Sequence, residues 1–222
     1  MRRELIAFFD VDHTITRRAT AMAFIKVCMR RRFIKWWYLL AAPALFVMYR
    51  FFSVKMESLF ALSLPRLSGR TRAEFEDVAR EAFDRYLSRA LYPGAVREIA
   101  DLRRRGVRVI LATSAPFEAV YPLAQHCGVP ASDVVATQFA YSDGVFEGRI
   151  MGKPVFSEGK YGIIRDFAAR SGIDLQLCSF YSDSVHDVPL LESVGYPVAA
   201  NPDFRLFMVA RRRGWPIKDF EK

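Results

Sequence analysis

Residues 8–16 read Phe8-Phe9-Asp10-Val11-Asp12-His13-Thr14-Ile15-Thr16, an apolar run that ends in two aspartates one residue apart. The run begins at Leu5 and carries no charge up to Phe9, which suits a strand buried on both faces. A lone carboxylate at a strand end is common, whereas a pair followed by a hydroxyl residue asks for a fold reason or a chemical one. Similar apolar runs bounded by turn residues recur at Val107 to Ala112, Val134 to Thr137, Leu177 to Tyr181 and Pro197 to Ala200, with amphipathic helical patterns between most of them. This alternation predicts an α/β fold, a Rossmann-like parallel sheet flanked by helices.

The first two strands are separated by far more chain than a crossover helix requires. An inserted helical cap after the first strand is therefore expected, with residues 16–89 as cap and residues 1–15 and 90–222 as core. Within the cap, Arg70 to Arg89 alternates charged and apolar residues at helical spacing, and Thr71 with Glu74 suits a capping box. Phe139 to Tyr141 and Val145 to Ile150, joined by Ser142-Asp143-Gly144, read as a hairpin appended to the sheet. Ala210 to Pro216 reads as the end of the last helix.

The chain of 222 residues is 52% hydrophobic and 26% charged, which excludes a disordered polymer and fits one core with an inserted subdomain. Its three cysteines, Cys28, Cys127 and Cys178, form no C-x-x-C pair, so neither a disulfide framework nor a zinc cluster is expected and packing roles are assigned to them. The opening Met-Arg-Arg-Glu leads into the first strand with no small-residue cleavage site, and no secretory signal is expected.

Charge is unevenly placed. Between His13 and Met56 there is no Asp or Glu, and the nine basic residues there equal the net charge of +9. Among them Arg30, Arg31, Arg32 and Lys35 precede Trp36 and Trp37 and the long apolar stretch to Val54, which is interrupted by Pro43 and Arg50. Basic residues contribute about 1 kcal/mol each near an anionic lipid surface, and tryptophans favour the headgroup level. In-plane insertion at an anionic membrane surface is the leading expectation, against a cap core with a solvated basic face. The aliphatic continuation from Leu39 to Met48 disfavours nucleic acid.

Parallel sheets bind ligands beyond the carboxyl ends of their strands, so four distant groups belong together. They are Asp10, Asp12 and Thr14; Thr113 and Ser114; Lys160; and Asp183 with Asp187. Several carboxylates beside a lysine and hydroxyls are electrostatically costly unless a cation and an anion share the site, and Mg2+ with a phosphate satisfies both. Asp10 would then attack phosphorus as nucleophile, and Asp12 would protonate the leaving alkoxide and later activate water. Lys160, Thr113 and Ser114 would bind the phosphate, Lys160 competing with Lys153 and Thr113 with Ser114. Asp10, Asp12, Asp183 and Asp187 form the candidate metal set. His126 and His186 are read as structural or exposed, and His13 as a helper or packing residue.

In chain order these residues resemble the four motifs of the haloacid dehalogenase superfamily of phosphohydrolases, and the insert after the first motif resembles the cap of the phosphoserine-phosphatase-like subgroup. Tyr181 to Leu191, the Thr113 to Pro116 turn and the basic-then-apolar cap are similar to bacterial phosphatidylglycerophosphate phosphatases of the C type. The resemblance implies a Mg2+-dependent phosphomonoesterase acting through an aspartyl-phosphate on a lipid phosphate, at the cytoplasmic face of a bacterial inner membrane. The alternatives are a cytoplasmic phosphatase of a small phosphomonoester such as phosphoserine, and a non-catalytic membrane-binding adaptor. His13 and Ser182 stand where many relatives have glycine.

Overall fold

The computed structural model describes residues 6–34, 64–152 and 158–221. Its centre is a six-stranded sheet in the order β3-β2-β1-β6-β7-β8, with neighbouring strands parallel. The strands are β1 (Ile6–Phe9), β2 (Arg108–Pro116), β3 (Val134–Thr137), β6 (Cys178–Ser182), β7 (Tyr196–Ala200) and β8 (Ile217–Lys218). β1 sits in the middle, where Phe9 lies opposite Leu111 of β2 on one side and Tyr181 of β6 on the other. The residues that follow these three positions consequently emerge side by side at one edge.

Helices cover both faces. On one, Ala7, Phe9, Val109 and Leu111 pack with α3 (Pro93–Arg104) through Ile99 and Leu102, and with α4 (Phe117–His126) through Val120 and Leu123. On the other, Ile6, Phe8, Ile110 and Phe180 meet Ile164 of α5 (Glu158–Arg170), the short α6 (Val188–Leu191) and Leu206 of α7 (Phe204–Arg213). Successive β1 side chains thus enter opposite apolar layers, which explains why the run shows no polar alternation. The ring of Phe9 stacks on Tyr181 with centroids 4.1 Å apart.

Strand β8 is absent from the sequence reading. Gly214, at φ 68, closes α7 in the left-handed conformation that glycine adopts freely, and the chain then turns to pair Ile217 with Ala199. Two residues are too few to carry a strand pattern.

The insert expected as a cap holds α1 (Thr20–Arg30) and α2 (Arg72–Ala82). Thr71 and Glu74 form the expected capping box, the Thr71 hydroxyl accepting from Glu74 N and the Glu74 carboxylate from Thr71 N. The helix expected to run to Arg89 instead widens into a π-helical segment, Phe83–Leu87, followed by a 3-10 turn at Ser88–Ala90. The extra residue in the turn buries Leu87 completely while Tyr86 stays half-buried beside Lys26.

The hairpin, β4 (Phe139–Ser142) and β5 (Val145–Ile150), does not extend the main sheet but forms a separate two-stranded one. Its Phe139 and Phe146 pack on Phe75 of α2, with ring centroids 5.6 and 5.5 Å away, and Phe24 of α1 lies 5.9 Å from the same ring. Aromatic pairs of this kind contribute about 0.5–1.5 kcal/mol each beyond area burial. The cap chain runs alongside β5, with Gly69 N donating to the Phe146 carbonyl and Phe146 N donating to that of Arg70. An aromatic face of α2, not a free sheet edge, is what the hairpin buries against.

The membrane-surface expectation needs correction in this region. Arg30 and Arg31 point their guanidinium groups at Glu81 of α2, at 2.6 and 2.8 Å, and so cross-link α1 to α2. Arg32 lies in the turn after α1 with φ 60. Lys35, Trp36 and Trp37 lie outside the described residues. Among the described residues no helix is long and apolar enough to cross a membrane.

Candidate active site

Asp10 is the first residue beyond β1, and its N–H donates to the Tyr181 carbonyl at 2.9 Å, which holds it against β6. Lys160 reaches it from α5: its ammonium donates to Asp10 Oδ1 at 2.8 Å and to Asp187 Oδ2 at 2.9 Å. All three are nearly buried, at 7, 7 and 4% exposure for Asp10, Lys160 and Asp187. The Ser182 hydroxyl also donates to Asp187 Oδ2, at 2.7 Å, so Asp187 is oriented by two donors and in turn fixes the lysine.

Asp183 is joined to the first loop by a reciprocal pair. Its N–H donates to Thr14 Oγ1 at 3.0 Å, while the Thr14 hydroxyl donates to Asp183 Oδ1 at 3.1 Å. Asp12 is held differently: its Oδ1 accepts from both the N–H and the hydroxyl of Thr20, at 2.9 and 2.7 Å. Thr20 is the first residue of α1, so the cap helix itself sets the direction of this carboxylate. His13, between Asp12 and Thr14, is exposed and turns the chain at φ 63, a left-handed conformation in which histidine is tolerated better than most residues.

Thr113 and Ser114 lie in the last part of β2, which continues to Pro116 with an irregular register against β3 beyond Ala112. Thr113 is buried with Oγ1 accepting from Ala115 N at 3.2 Å, and Ser114 is half-buried with its carbonyl accepting from Thr137 Oγ1 at 2.9 Å. Lys153 lies outside the described residues. His126 is exposed beside the Phe83 ring, and His186 is exposed. All three cysteines are buried and outside any disulfide, and burial pushes the thiols of Cys28 and Cys127 up to about 12 and about 11, which keeps them un-ionised near neutrality.

The electrostatics are those of an acidic pocket short of positive charge. Burial, then the neighbouring Asp187, pushes Asp10 up to about 6 against the opposing pull of Lys160. Burial and the charge of Asp10 push Asp183 up to about 7. Burial also raises Asp12, against the two Thr20 hydrogen bonds. For Lys160, burial pulls downward but Asp10 and Asp187 more than compensate, and the net direction is up.

This donor set fits a hard divalent cation. Every candidate ligand is an oxygen, and Asp10 and Asp183 repel one another, with Lys160 hydrogen-bonded to Asp10 and Asp187. No group of three His, Cys, Asp or Glu side chains converges among the described residues. An ion here would therefore take one or two carboxylates and complete its shell with other oxygens, as magnesium usually does. Thr14, Thr20 and Ser182 are the site residues that sequence reasoning missed as side-chain partners. Their spacing from the aspartates was visible, but which carboxylate each one serves is decided by tertiary packing.

Fold and site together define a hydrolase with an acidic centre at the switch point of a parallel sheet. Residues 7–192 match the model of the haloacid dehalogenase-like hydrolase family, and the chain belongs to that family. It is similar to "Phosphoserine phosphatase SerB1" of Mycobacterium tuberculosis, 33% identical over 221 residues that cover 96% of this chain and 70% of that protein. It also resembles "Histidinol-phosphatase" of Neisseria meningitidis, at 26% identity covering 97% of this chain and 99% of that one. Among solved structures, a protein of unknown function from Bordetella pertussis superposes with a TM-score of 0.87 at 29% identity, covering 98% of this chain and 99% of that one.

The chain is thus an enzyme, a hydrolase of the phosphatase kind. The expected inner-membrane location is overturned: these relatives are named for phosphoserine and histidinol phosphate rather than lipid phosphates, and the basic residues Arg30 and Arg31 are committed to Glu81.

Proposed function

We propose that this protein hydrolyses a small phosphomonoester through a phosphorylated Asp10. The observation that carries the reading is the buried Lys160 bridging Asp10 and Asp187, residues brought together from three distant parts of the chain. Residues 1–15 and 90–222 form the catalytic core in this reading, and residues 16–89 the cap that closes over it. The names of the relatives support a small metabolite over a lipid.

In the first step an Asp10 carboxylate oxygen bonds to phosphorus and the bond from phosphorus to the leaving oxygen breaks. Asp12, whose carboxyl burial raises, delivers a proton to that oxygen in its acid form and releases an alcohol. In the second step Asp12, now a carboxylate, takes a proton from a water that attacks phosphorus, freeing inorganic phosphate and restoring Asp10. Lys160 keeps Asp10 ionised and lies beside the phosphoryl oxygens, with Thr113 or Ser114 as hydroxyl donor on the β2 side. Asp10 and Asp183 would hold Mg2+, with Asp12 and Asp187 in the wider candidate set; in such sites the ion neutralises phosphoryl charge. Asp10 and Asp183 are the preferred pair because their mutual repulsion, which adds to burial in raising the Asp183 carboxyl, is what a cation would relieve.

The test is release of phosphate from an aryl phosphate in the presence of Mg2+. Wild type should turn over and Asp10→Asn should lose at least about a thousandfold in kcat, the loss expected when a covalent route is removed. Turnover by Asp10→Asn at the wild-type rate would remove the mechanism.

A further inference from the structure

None of the candidate site residues lines a second cavity, a pocket of about 310 Å3 between α2 and α4. Arg72, Glu76 and Arg80 face it from α2, where their four-residue spacing makes them one ridge of the helix. Phe117, Glu118 and Tyr121 face it from α4, and the half-buried rings of Phe117 and Tyr121 stack with centroids 5.2 Å apart. The α4 wall carries acceptors that lack donors. Glu118 is 4% exposed, and although its Oε1 accepts from Tyr141, its Oε2 is buried with no hydrogen-bond partner among the described residues. Pro122 also lies on this wall, inside the helix, and has no N–H to give the Glu118 carbonyl four residues back. A buried acceptor without a donor is costly, and a ligand that brings N–H groups would remove the cost.

The charges say what else that ligand carries. Burial first, and the charge of Glu76 with it, raise the Glu118 carboxyl, so an ammonium beside these two acids would offset both effects. Arg72 is already placed over the Tyr141 ring at 4.1 Å and 3.9 Å from Glu118, whereas Arg80 stands exposed one turn beyond Glu76, where its fork can take a carboxylate. A lone ammonium would meet two guanidinium groups and a lone carboxylate would meet two acids, while a molecule bearing both charges can pair each with its opposite. We propose that this pocket binds a small zwitterion of the aromatic amino-acid kind, with its ammonium at Glu118, its carboxylate at Arg80 and its ring against the Phe117–Tyr121 stack. Occupancy would clamp α2 to α4, the helix that directly follows the Thr113 to Pro116 turn. This binding is independent of the chemistry proposed for Asp10.

The experiment titrates the full chain with phenylalanine and with three analogues that each lack one part of it: phenethylamine without the carboxylate, 3-phenylpropionate without the ammonium, and glycine without the ring. Binding is read by calorimetry and by the rise in melting temperature. Phenylalanine is expected to bind and to raise the melting temperature, and each analogue to bind at least tenfold more weakly. Glu118→Gln keeps the shape of the side chain and removes its charge, so phenylalanine affinity should fall at least tenfold while that of 3-phenylpropionate does not fall. Arg80→Gln, at an exposed position, should weaken phenylalanine by a similar factor and leave phenethylamine unchanged. The melting curve of each unliganded variant shows that it is folded. No binding of phenylalanine, tighter binding of any analogue, or an affinity for phenylalanine unmoved in both variants would overturn the inference. Release of phosphate from the aryl ester is scored separately, so either reading can fail without the other.

Discussion

At the level of single residues, the acid–base role proposed for Asp12 depends on a neighbour. A carboxylate that donates a proton and then accepts one must keep the same direction through both steps, and one of its oxygens is fixed by Thr20. Replacing Thr20 by valine keeps the branched shape and the backbone N–H but removes the hydroxyl. Because general acid–base catalysis contributes about 10²–10⁴-fold, releasing half of this grip should lower kcat roughly ten- to a hundredfold. Aryl phosphate KM should stay near wild type, and the pH profile of kcat should move. An unshifted profile with unchanged kcat would show that the hydroxyl does not position Asp12. The candidate residues Asp10, Asp12, Asp183 and Asp187 were legible in the sequence because strand-end carboxylates are distinctive, and Lys160 because it stands at a helix start. Thr20 was not: one threonine among many gains its meaning only when the cap helix starts beside the first loop.

At the level of elements, the approach to β7 depends on a glycine for space and not for conformation. A Cβ on Gly195 would lie 2.0 Å from the backbone oxygen of Gln176, and Gly195 N donates to the Leu175 carbonyl at 3.0 Å. Gly195→Ala forces these backbones apart, and overpacking of this kind costs about 1–3 kcal/mol. A urea unfolding midpoint lowered accordingly, with little change in slope, is the expected result, and an unchanged midpoint would refute the close approach. The parallel strands were legible from their uninterrupted apolar character. The π-helical turn, the two-residue β8 and the docking of the hairpin were not, since each depends on a tertiary partner: Leu87 seeking the core, Ile217 finding Ala199, and Phe139 and Phe146 finding Phe75.

At the level of the whole molecule, α4, α2 and the hairpin meet around one buried acid. Glu118 of α4 is 4% exposed, accepts from the Tyr141 hydroxyl of the hairpin at 2.8 Å, and lies 3.9 Å from Arg72 of α2. Burial raises its carboxyl above the ordinary value of 4.5, against Tyr141 and Arg72. The folded state then binds this proton more tightly than the unfolded chain does. Stability is therefore lost as pH rises from 4.5 through the raised folded value, and the loss is constant above it. Glu118→Gln should accordingly gain melting temperature relative to wild type across that window and hold a level advantage beyond it. A difference independent of pH would contradict the sign.

The hairpin carries one more consequence for this architecture. The aromatic layer around Phe75 is sewn from two pieces of chain, the insert after β1 and a loop that leaves β3 much later. Excising the insert would not yield a bare catalytic platform. It would strand an oily flap, with Phe139 and Phe146 facing water, next to the strand whose Thr137 props Ser114.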